Sequence, residues 1–488
     1  MKKVLFMSSE VFPLIKTGGL ADVSGSLPIA LSSMGHDVRI LMPAYPAAIA
    51  AGSFSPLRKL GGASESMILE GKLPGTNVTV MALSHDLYFS REGNPYLDQS
   101  GSPWADNAQR FAMFCRVGVE IAMDRLGLSW KPDIVHCNDW QTGLVPALLS
   151  DEIKRPATIF TIHNLAYQGV FPQQTFSDLQ LPSRLWTPEA LEFYGQVSFI
   201  KGGLVFADRV TTVSPTYAKE IQTSAFGCGL EGLLTHRNHR LSGILNGIDE
   251  VAWNPATDPY LPEHFELGKL GNRSKLKALL QTSFGLKQDP SVPVLAWVGR
   301  LVDQKGIDLL IESLPTLMNK SIQIVMIGSG EGRYERILQQ WGQLFPDKFS
   351  IRLGYDEARA HLVEAAADLF LMPSRFEPCG LNQMYSQRYG TIPVVRKAGG
   401  LADTVVDASE ANVDSGSATG FVFSDPSSDA LIHTLDRAID LFEKPSVWKK
   451  IQANGMSKNF SWQISAVQYE KTYDLALNDL NPVYTWVT

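Results

Sequence analysis

Lys16-Thr17-Gly18-Gly19-Leu20-Ala21-Asp22 returns, with one residue changed, as Lys397-Ala398-Gly399-Gly400-Leu401-Ala402-Asp403. Each copy follows a short apolar run that reads as a strand and precedes an apolar-periodic stretch that reads as a helix. Paired glycines at such a turn let backbone approach a ligand closely and leave N–H groups for an anion, and the lysine adds positive charge. One copy alone would be an ordinary strand-to-helix turn. Two copies near opposite ends predict two related α/β domains facing one phosphorylated ligand.

The pattern between the copies supports this. Apolar runs at 4–7, 38–42, 134–135, 157–162 and 210–213 predict buried parallel strands, with helical patterns between them. A less regular, proline-containing region, 250–293, follows Asn246-Gly247-Ile248-Asp249 and marks a domain junction. The alternation restarts with strands predicted at 294–298, 322–327, 350–353, 369–372 and 392–395, and helices at 358–367 and 381–389. Strands alternating with helices predict parallel sheets covered on both faces, with ligands at the carboxyl ends of the strands. Two such sheets in tandem predict a cleft between domains. The predicted boundaries are 1–245, 246–460 and a C-terminal helix within 461–488 that packs back on the N-terminal domain.

The chain has 488 residues, 44% hydrophobic and 19% charged, enough for two full cores. A formal net charge of −7 argues against a nucleic-acid partner. The four cysteines show no metal-ligand or disulfide spacing and point to a reduced, cytoplasmic protein. The apolar start is interrupted by Ser8, Ser9 and Glu10 and reads as a first strand rather than a signal peptide. No stretch approaches the length of a membrane span.

Chemistry concentrates where predicted strands end. In Ser374-Arg375-Phe376-Glu377-Pro378-Cys379-Gly380-Leu381 a strand gives way to a helix whose N-terminus suits a phosphate. Glu377 could face a sugar hydroxyl or a developing cationic carbon; on position alone it could equally cap the helix. Gly299-Arg300-Leu301-Val302-Asp303-Gln304-Lys305-Gly306 puts two cations on one loop, as a departing diphosphate requires; alone it would be a solvated basic loop. His163-Asn164-Leu165-Ala166-Tyr167-Gln168-Gly169 places polar handles at another strand end. His136-Cys137-Asn138-Asp139-Trp140 resembles a further binding loop, with a capping aspartate as the plainer alternative. There is no P-loop, no G-x-S-x-G elbow and no Asp-X-Asp pair. The last absence favours lysine and arginine in the place of a metal. Gly227-Cys228-Gly229-Leu230-Glu231-Gly232 matches GxGxxG but follows a helical pattern, so it is read as a false dinucleotide motif.

Together these motifs resemble the bacterial glycogen synthases and plant starch synthases that use ADP-glucose, glycosyltransferase family 5, and the resemblance spans essentially the whole chain. It implies an α/β GT-B fold: two Rossmann-like doubly wound domains facing across a deep inter-domain cleft. It implies transfer of glucose from ADP-glucose to the non-reducing 4-hydroxyl of an α-1,4-glucan (glycogen or maltooligosaccharides), with retention and with neither cofactor nor metal. By the same resemblance Arg300 and Lys305 would stabilise the leaving diphosphate, and Glu377 would contact the glucosyl group and assist its transition state. Lys16, Gly18 and Gly19 would contact the donor, His163 and Asn246 would hold glucose hydroxyls, and the Cys379-Gly380-Leu381 backbone would meet the distal phosphate. Tyr355 would stack on adenine, and Asp139, Asn107 and Tyr96 would lie on the acceptor side. The residues leave Glu377 open as nucleophile or electrostatic support; the resemblance implies front-face attack, the leaving phosphate taking the acceptor's proton.

The chain departs from the family where relatives often carry histidine, at Asn138 and Gln141, and at Asn382, where they often carry threonine. A UDP-glucose enzyme of the same fold, such as a sucrose-forming transferase, is the nearest alternative. A catalytically silent glucan-binding protein is another, against which stand Glu377, Arg300 and Lys305, all present. No motif supplies the pyridoxal phosphate lysine of a phosphorylase. The start at the first strand, without a transit peptide, favours a bacterial cytoplasmic enzyme over a plastid one.

Overall fold

The computed structural model describes residues 1–61 and 66–480. It forms two compact units: Met1–Gly247 with the C-terminal stretch from Trp462, and Ile248–Ser461. Asn246 and Gly247, expected to open the second domain, belong to the first. A side chain at Gly247 would run into the backbone of Trp462, and Ser465 Oγ donates to the Leu245 carbonyl at 2.6 Å, which ties this segment to the last helix.

The strands of the first unit are β1 (Lys3–Met7), β2 (Asp37–Pro43), β3 (Phe54–Leu60), β4 (Ser66–Lys72), β5 (Thr79–His85), β6 (Ile134–Asn138), β7 (Ala157–Ile162), β8 (Val170–Pro172), β9 (Glu192–Phe193), β10 (Gln196–Ser198), β11 (Arg209–Thr212) and β12 (Leu241–Gly243). Nine form one sheet in the order β12-β11-β7-β6-β1-β2-β5-β4-β3. From β12 to β5 every pairing is parallel, with Val4 beside both Val38 and Ile134. β4 and β3 add an antiparallel edge, and β8, β10 and β9 make a small separate sheet. Strands such as β7 are buried along their whole length, as expected of a parallel sheet covered on both faces.

The C-terminal helix, Trp462–Leu480, packs onto the first unit against the helix Gly19–Ser33 and β7. Its Tyr469 and Tyr473 are fully buried, and the Tyr473 hydroxyl lies 2.8 Å from Nδ1 of His136. Residues 481–488, part of the expected C-terminal segment, lie outside the described residues.

The second unit holds β13 (Val294–Val298), β14 (Gln323–Gly328), β15 (Phe349–Leu353), β16 (Leu369–Met372), β17 (Ile392–Arg396) and β18 (Phe421–Phe423). They form one sheet in the order β15-β14-β13-β16-β17-β18, parallel throughout. This is the doubly wound order of a dinucleotide-binding sheet. Chain order reverses between β13 and β16 here, and between β1 and β6 in the first unit. Ligands of such sheets bind beyond the carboxyl ends of the strands at that reversal. The GxGxxG match follows the helix Pro215–Glu220 and runs into the helix Glu231–His236, so it lacks the preceding strand a dinucleotide turn needs. No helix of the described residues is long and apolar enough to cross a membrane.

Candidate active site

In the first unit the loop after β1 carries Glu10 and the Lys16 turn. Glu10 is buried and organises that turn. Its Oε2 accepts the N–H groups of Thr17 at 2.5 Å and Gly18 at 3.0 Å, and its Oε1 accepts the Tyr96 hydroxyl at 2.6 Å. Burial raises its pKa, against the lowering effect of the Tyr96, Thr17 and Gly18 hydrogen bonds. The Gly18 N–H is therefore committed to a carboxylate of the chain itself. The space beside the glycines is not: no atom lies within 4 Å of where a Cβ on Gly18 or Gly19 would sit. Lys16 pairs with Asp22 at 2.8 Å. Asn107 donates to the Tyr96 carbonyl at 3.0 Å and accepts from Arg110 at 2.7 Å, so it braces Tyr96.

The loops after β6 and β7 meet beside this turn. Asp139 has the left-handed φ of 55°, a strained conformation for a non-glycine residue. Its Oδ1 accepts the backbone N–H of His163 at 2.7 Å. Burial pushes the Asp139 carboxyl up to about 7, opposed by the N–H groups of His163 and Asn164 and aided by the charge of Glu10. Nε2 of His163 lies 2.9 Å from Oδ1 of Asn138, and burial lowers its imidazole to about 3. Trp140 closes the floor, packing against Phe111 and leaving no room for a side chain at Gly169. Asn246, beyond β12, is buried, and its Oδ1 has no hydrogen-bond partner among the described residues.

In the second unit the loops after β13 and β16 lock together. Nζ of Lys305 lies 2.5 Å from Oε2 of Glu377, which also accepts from Ser374 Oγ at 3.1 Å. Glu377 is 5% exposed. Gly306 (φ 71°) leaves space only for the Pro373 carbonyl, and the Arg375 N–H donates to the Gln304 carbonyl at 2.9 Å. Arg300 is exposed on the same loop as Lys305, and its guanidinium reaches Gln304 at 3.4 Å.

The second copy of the heptapeptide supports this loop from behind. Gly400 N–H donates to the carbonyls of Glu377 and Pro378 at 3.2 Å each. A Cβ on Gly399 (φ 41°) would strike the Glu377 carbonyl, and one on Gly400 the Cys379 backbone. The expectation that both copies face a ligand alike is therefore corrected: the second copy's glycines are filled by the chain. Cys379 is buried, Gly380 turns with φ 72°, and the helix Asn382–Arg388 follows Leu381. Asn382 Nδ2 donates to the Val298 carbonyl at 2.8 Å, which joins β13 to this helix. Tyr355 is 65% exposed and donates to Glu357 at 2.5 Å.

The predicted residues thus fall into a first-unit group around Lys16, Asp139 and His163 and a second-unit group around Lys305 and Glu377. Sequence reasoning missed Glu10 and gave no role to Asn138 or Ser374, although it singled out the loops that carry them. Ser8-Ser9-Glu10 counted only as the end of an apolar run, although polar residues just beyond a buried parallel strand are a signal in themselves. Among the described residues no group of three or more His, Cys, Asp or Glu could hold a metal ion.

The chain is similar to known proteins over nearly its whole length. Residues 3–236 match the family model of the starch synthase catalytic domain, and residues 281–454 that of glycosyl transferases group 1. The chain is 58% identical to glycogen synthase 1 of Methylococcus capsulatus, covering 98% of this chain and 97% of the relative. It is 51% identical to the glycogen synthase of Cellvibrio japonicus, covering 97% and 99%. Among solved structures it resembles the catalytic domain of starch synthase IV from Arabidopsis thaliana bound to ADP and acarbose. That match has a TM-score of 0.88 and 33% identity, covering 98% of this chain and 99% of that one. Both units are accordingly the Rossmann-like domains of a GT-B glycosyltransferase, and the chain belongs to the glycogen and starch synthase family.

Proposed function

We propose that this enzyme transfers glucose from ADP-glucose to the non-reducing 4-hydroxyl of an α-1,4-glucan, retaining the anomeric configuration and releasing ADP. The observation that carries the reading is the pair of partly exposed Lys305 and buried Glu377 at the strand-order reversal of the second unit, with Arg300 on the same loop. The relatives named glycogen synthases and the ADP-bound starch synthase supply the donor and acceptor classes.

In this reading the bond from C1 to the diphosphate oxygen breaks as the bond from C1 to the acceptor O4 forms on the same face. The acceptor proton passes to the leaving phosphate oxygen. Lys305 and Arg300 neutralise the diphosphate, so that no metal is needed. Glu377 faces the glucosyl group, whose C1 gains positive character. The turn at Cys379, Gly380 and Leu381 offers backbone N–H groups to the distal phosphate. The exposed ring of Tyr355 is available to adenine. Lys16 and the open face of Gly18 and Gly19 meet the donor. His163 and the Asn246 amide, whose oxygen has no partner among the described residues, hold sugar hydroxyls. Asp139 lies on the acceptor side. Tyr96 and Asn107, whose polar atoms are engaged within the unit, act there through Glu10. Four free cysteines fit a cytoplasmic setting.

The test is nucleotide release from ADP-glucose and UDP-glucose in parallel, with and without glycogen, in EDTA. Glycogen-dependent ADP release that ignores EDTA is expected. UDP release would overturn the donor, EDTA sensitivity the metal-free chemistry, and glycogen binding without release of either nucleotide the activity.

A further inference from the structure

Asn138 ends β6 and is fully buried. Both ends of its amide are used: Nδ2 donates to the Met7 carbonyl at 2.9 Å, and Oδ1 lies 2.9 Å from His163 Nε2. A backbone carbonyl only accepts, so the amide nitrogen faces Met7 and the amide oxygen faces His163. That oxygen also only accepts, so the shared proton resides on Nε2. Burial keeps the imidazole uncharged at neutral pH, and a neutral ring protonated on Nε2 carries a lone pair on Nδ1. No described residue donates to that lone pair. Asp139 holds the backbone of the same residue at 2.7 Å, so the ring and its main chain are both pinned.

We propose that Asn138 is a positioning residue that fixes His163 as the Nε2–H tautomer, reserving Nδ1 as an acceptor for a hydroxyl of the transferred sugar. The proposal rests on the reading of His163 as a sugar-holding residue and sharpens it. A phosphate oxygen is itself an acceptor and would repel the Nδ1 lone pair, so His163 belongs to the sugar and not to the diphosphate. Nor does a neutral ring have a proton on Nδ1 to give the leaving group. The titratable groups around His163 are Asp139 from the neighbouring loop after β6, His136 within β6, and Glu10, which acts through Asp139.

Two measurements on the full chain test this. Long-range proton–nitrogen NMR with labelled histidine, the His163 signal assigned by its loss in His163→Gln, should show Nε2 protonated and Nδ1 bare at pH 7.5. The opposite tautomer, or an imidazolium, would overturn the proposal whether or not the chain is active. Asn138→Asp puts a carboxylate against Nε2, favours the imidazolium and turns Nδ1 into a donor. Its kcat/KM for ADP-glucose should fall roughly 10- to 100-fold at pH 6.5 and recover as the pH rises and the added proton leaves. Asn138→Ala, which has no group to favour the imidazolium, should lose activity to a similar degree at every pH. Parallel profiles for Asn138→Asp and the native chain would overturn the proposal. Normal ADP release by His163→Gln would instead remove the sugar-holding role, leaving the NMR pattern to judge Asn138 by itself.

Discussion

The carbonyl of Glu377 accepts the N–H of Gly400 at 3.2 Å, so one copy of the repeated heptapeptide carries the backbone of the residue proposed to face the transferred sugar. The other copy presents Gly18 and Gly19 to open space. The same residues thus do two jobs, scaffold in one unit and open turn in the other, according to what packs on their glycines.

This division predicts opposite responses to one added methyl group. Gly400→Ala drives a Cβ into the Cys379 backbone and should cost about 1–3 kcal/mol of stability, with ADP release falling as the Glu377 loop shifts. Gly19→Ala meets no atom within 4 Å and should change stability by less than about 0.5 kcal/mol. It should nevertheless slow ADP release about tenfold or more, because the donor is proposed to approach that face. Thermal melts and ADP release on both variants check this; full activity in Gly19→Ala would show that the open face is unused.

The Lys305–Glu377 pair predicts that charge and chemistry can be separated. Glu377→Ala should keep the fold and ADP binding but lose turnover by about 100-fold or more. Lys305→Ala should weaken both donor binding and rate, and it leaves a buried carboxylate whose remaining hydrogen-bond partner among the described residues is Ser374. Its stability cost should lie between the ~0.5 kcal/mol of a surface pair and the ~3–5 kcal/mol of a fully buried one, since Lys305 is partly exposed. Adding Glu377→Gln to Lys305→Ala should restore part of that stability and none of the turnover. Unchanged ADP affinity in Lys305→Ala would remove it from the diphosphate site.

Glu10 predicts an effect on binding more than on chemistry. Its two oxygens serve different donors, Oε2 the N–H groups of Thr17 and Gly18, Oε1 the Tyr96 hydroxyl. Glutamine has one oxygen, so Glu10→Gln keeps it for the Thr17 and Gly18 N–H groups by turning its NH2 toward the Tyr96 hydroxyl, which accepts it and donates to Ser9, and the lost charge weakens the bonds to the turn by about 1 kcal/mol. The Lys16 turn should loosen, and the KM for ADP-glucose should rise several-fold with a smaller change in kcat. Tyr96→Phe removes one donor without creating a clash and should be milder. A fall in kcat alone would point to direct chemistry by Glu10 instead.

Much of the frame was legible because parallel strands covered on both faces must be apolar throughout. β1, β6, β7, β13, β16 and β17 stand out as runs bounded by glycine or polar residues, and the ends of β6, β7, β13 and β16 located Asp139, His163, Arg300, Lys305 and Glu377. The antiparallel edge was not legible, since Ser55, Pro56, Arg58 and Lys59 of β3 are exposed and give no apolar pattern. β8, β9 and β10 span two or three residues each, too short for any periodicity. Glu10 escaped because its partner Tyr96 lies 86 positions away. Asn138 escaped because its tie to Met7 spans 131. Local spacing cannot report pairings that only the sheet brings together.

Asp139 links the site to stability through pH. Burial raises its folded-state pKa to about 7, above the ~3.9 of an unfolded aspartate. Between those values the folded chain holds a proton that the unfolded chain has lost, so stability attributable to Asp139 declines as pH rises from about 4 to about 7 and is level above. Asp139→Asn keeps an oxygen for the His163 N–H and removes the titration. The stability of Asp139→Asn relative to the native chain should therefore increase across that window, by a few kcal/mol at most, and then plateau. Urea denaturation of both chains from pH 4 to 8 measures this difference directly, and the other titrating groups cancel in it. A difference that stays flat across the window would mean that Asp139 ionises like a solvated carboxylate and that its strained backbone, rather than its charge, is what the site requires.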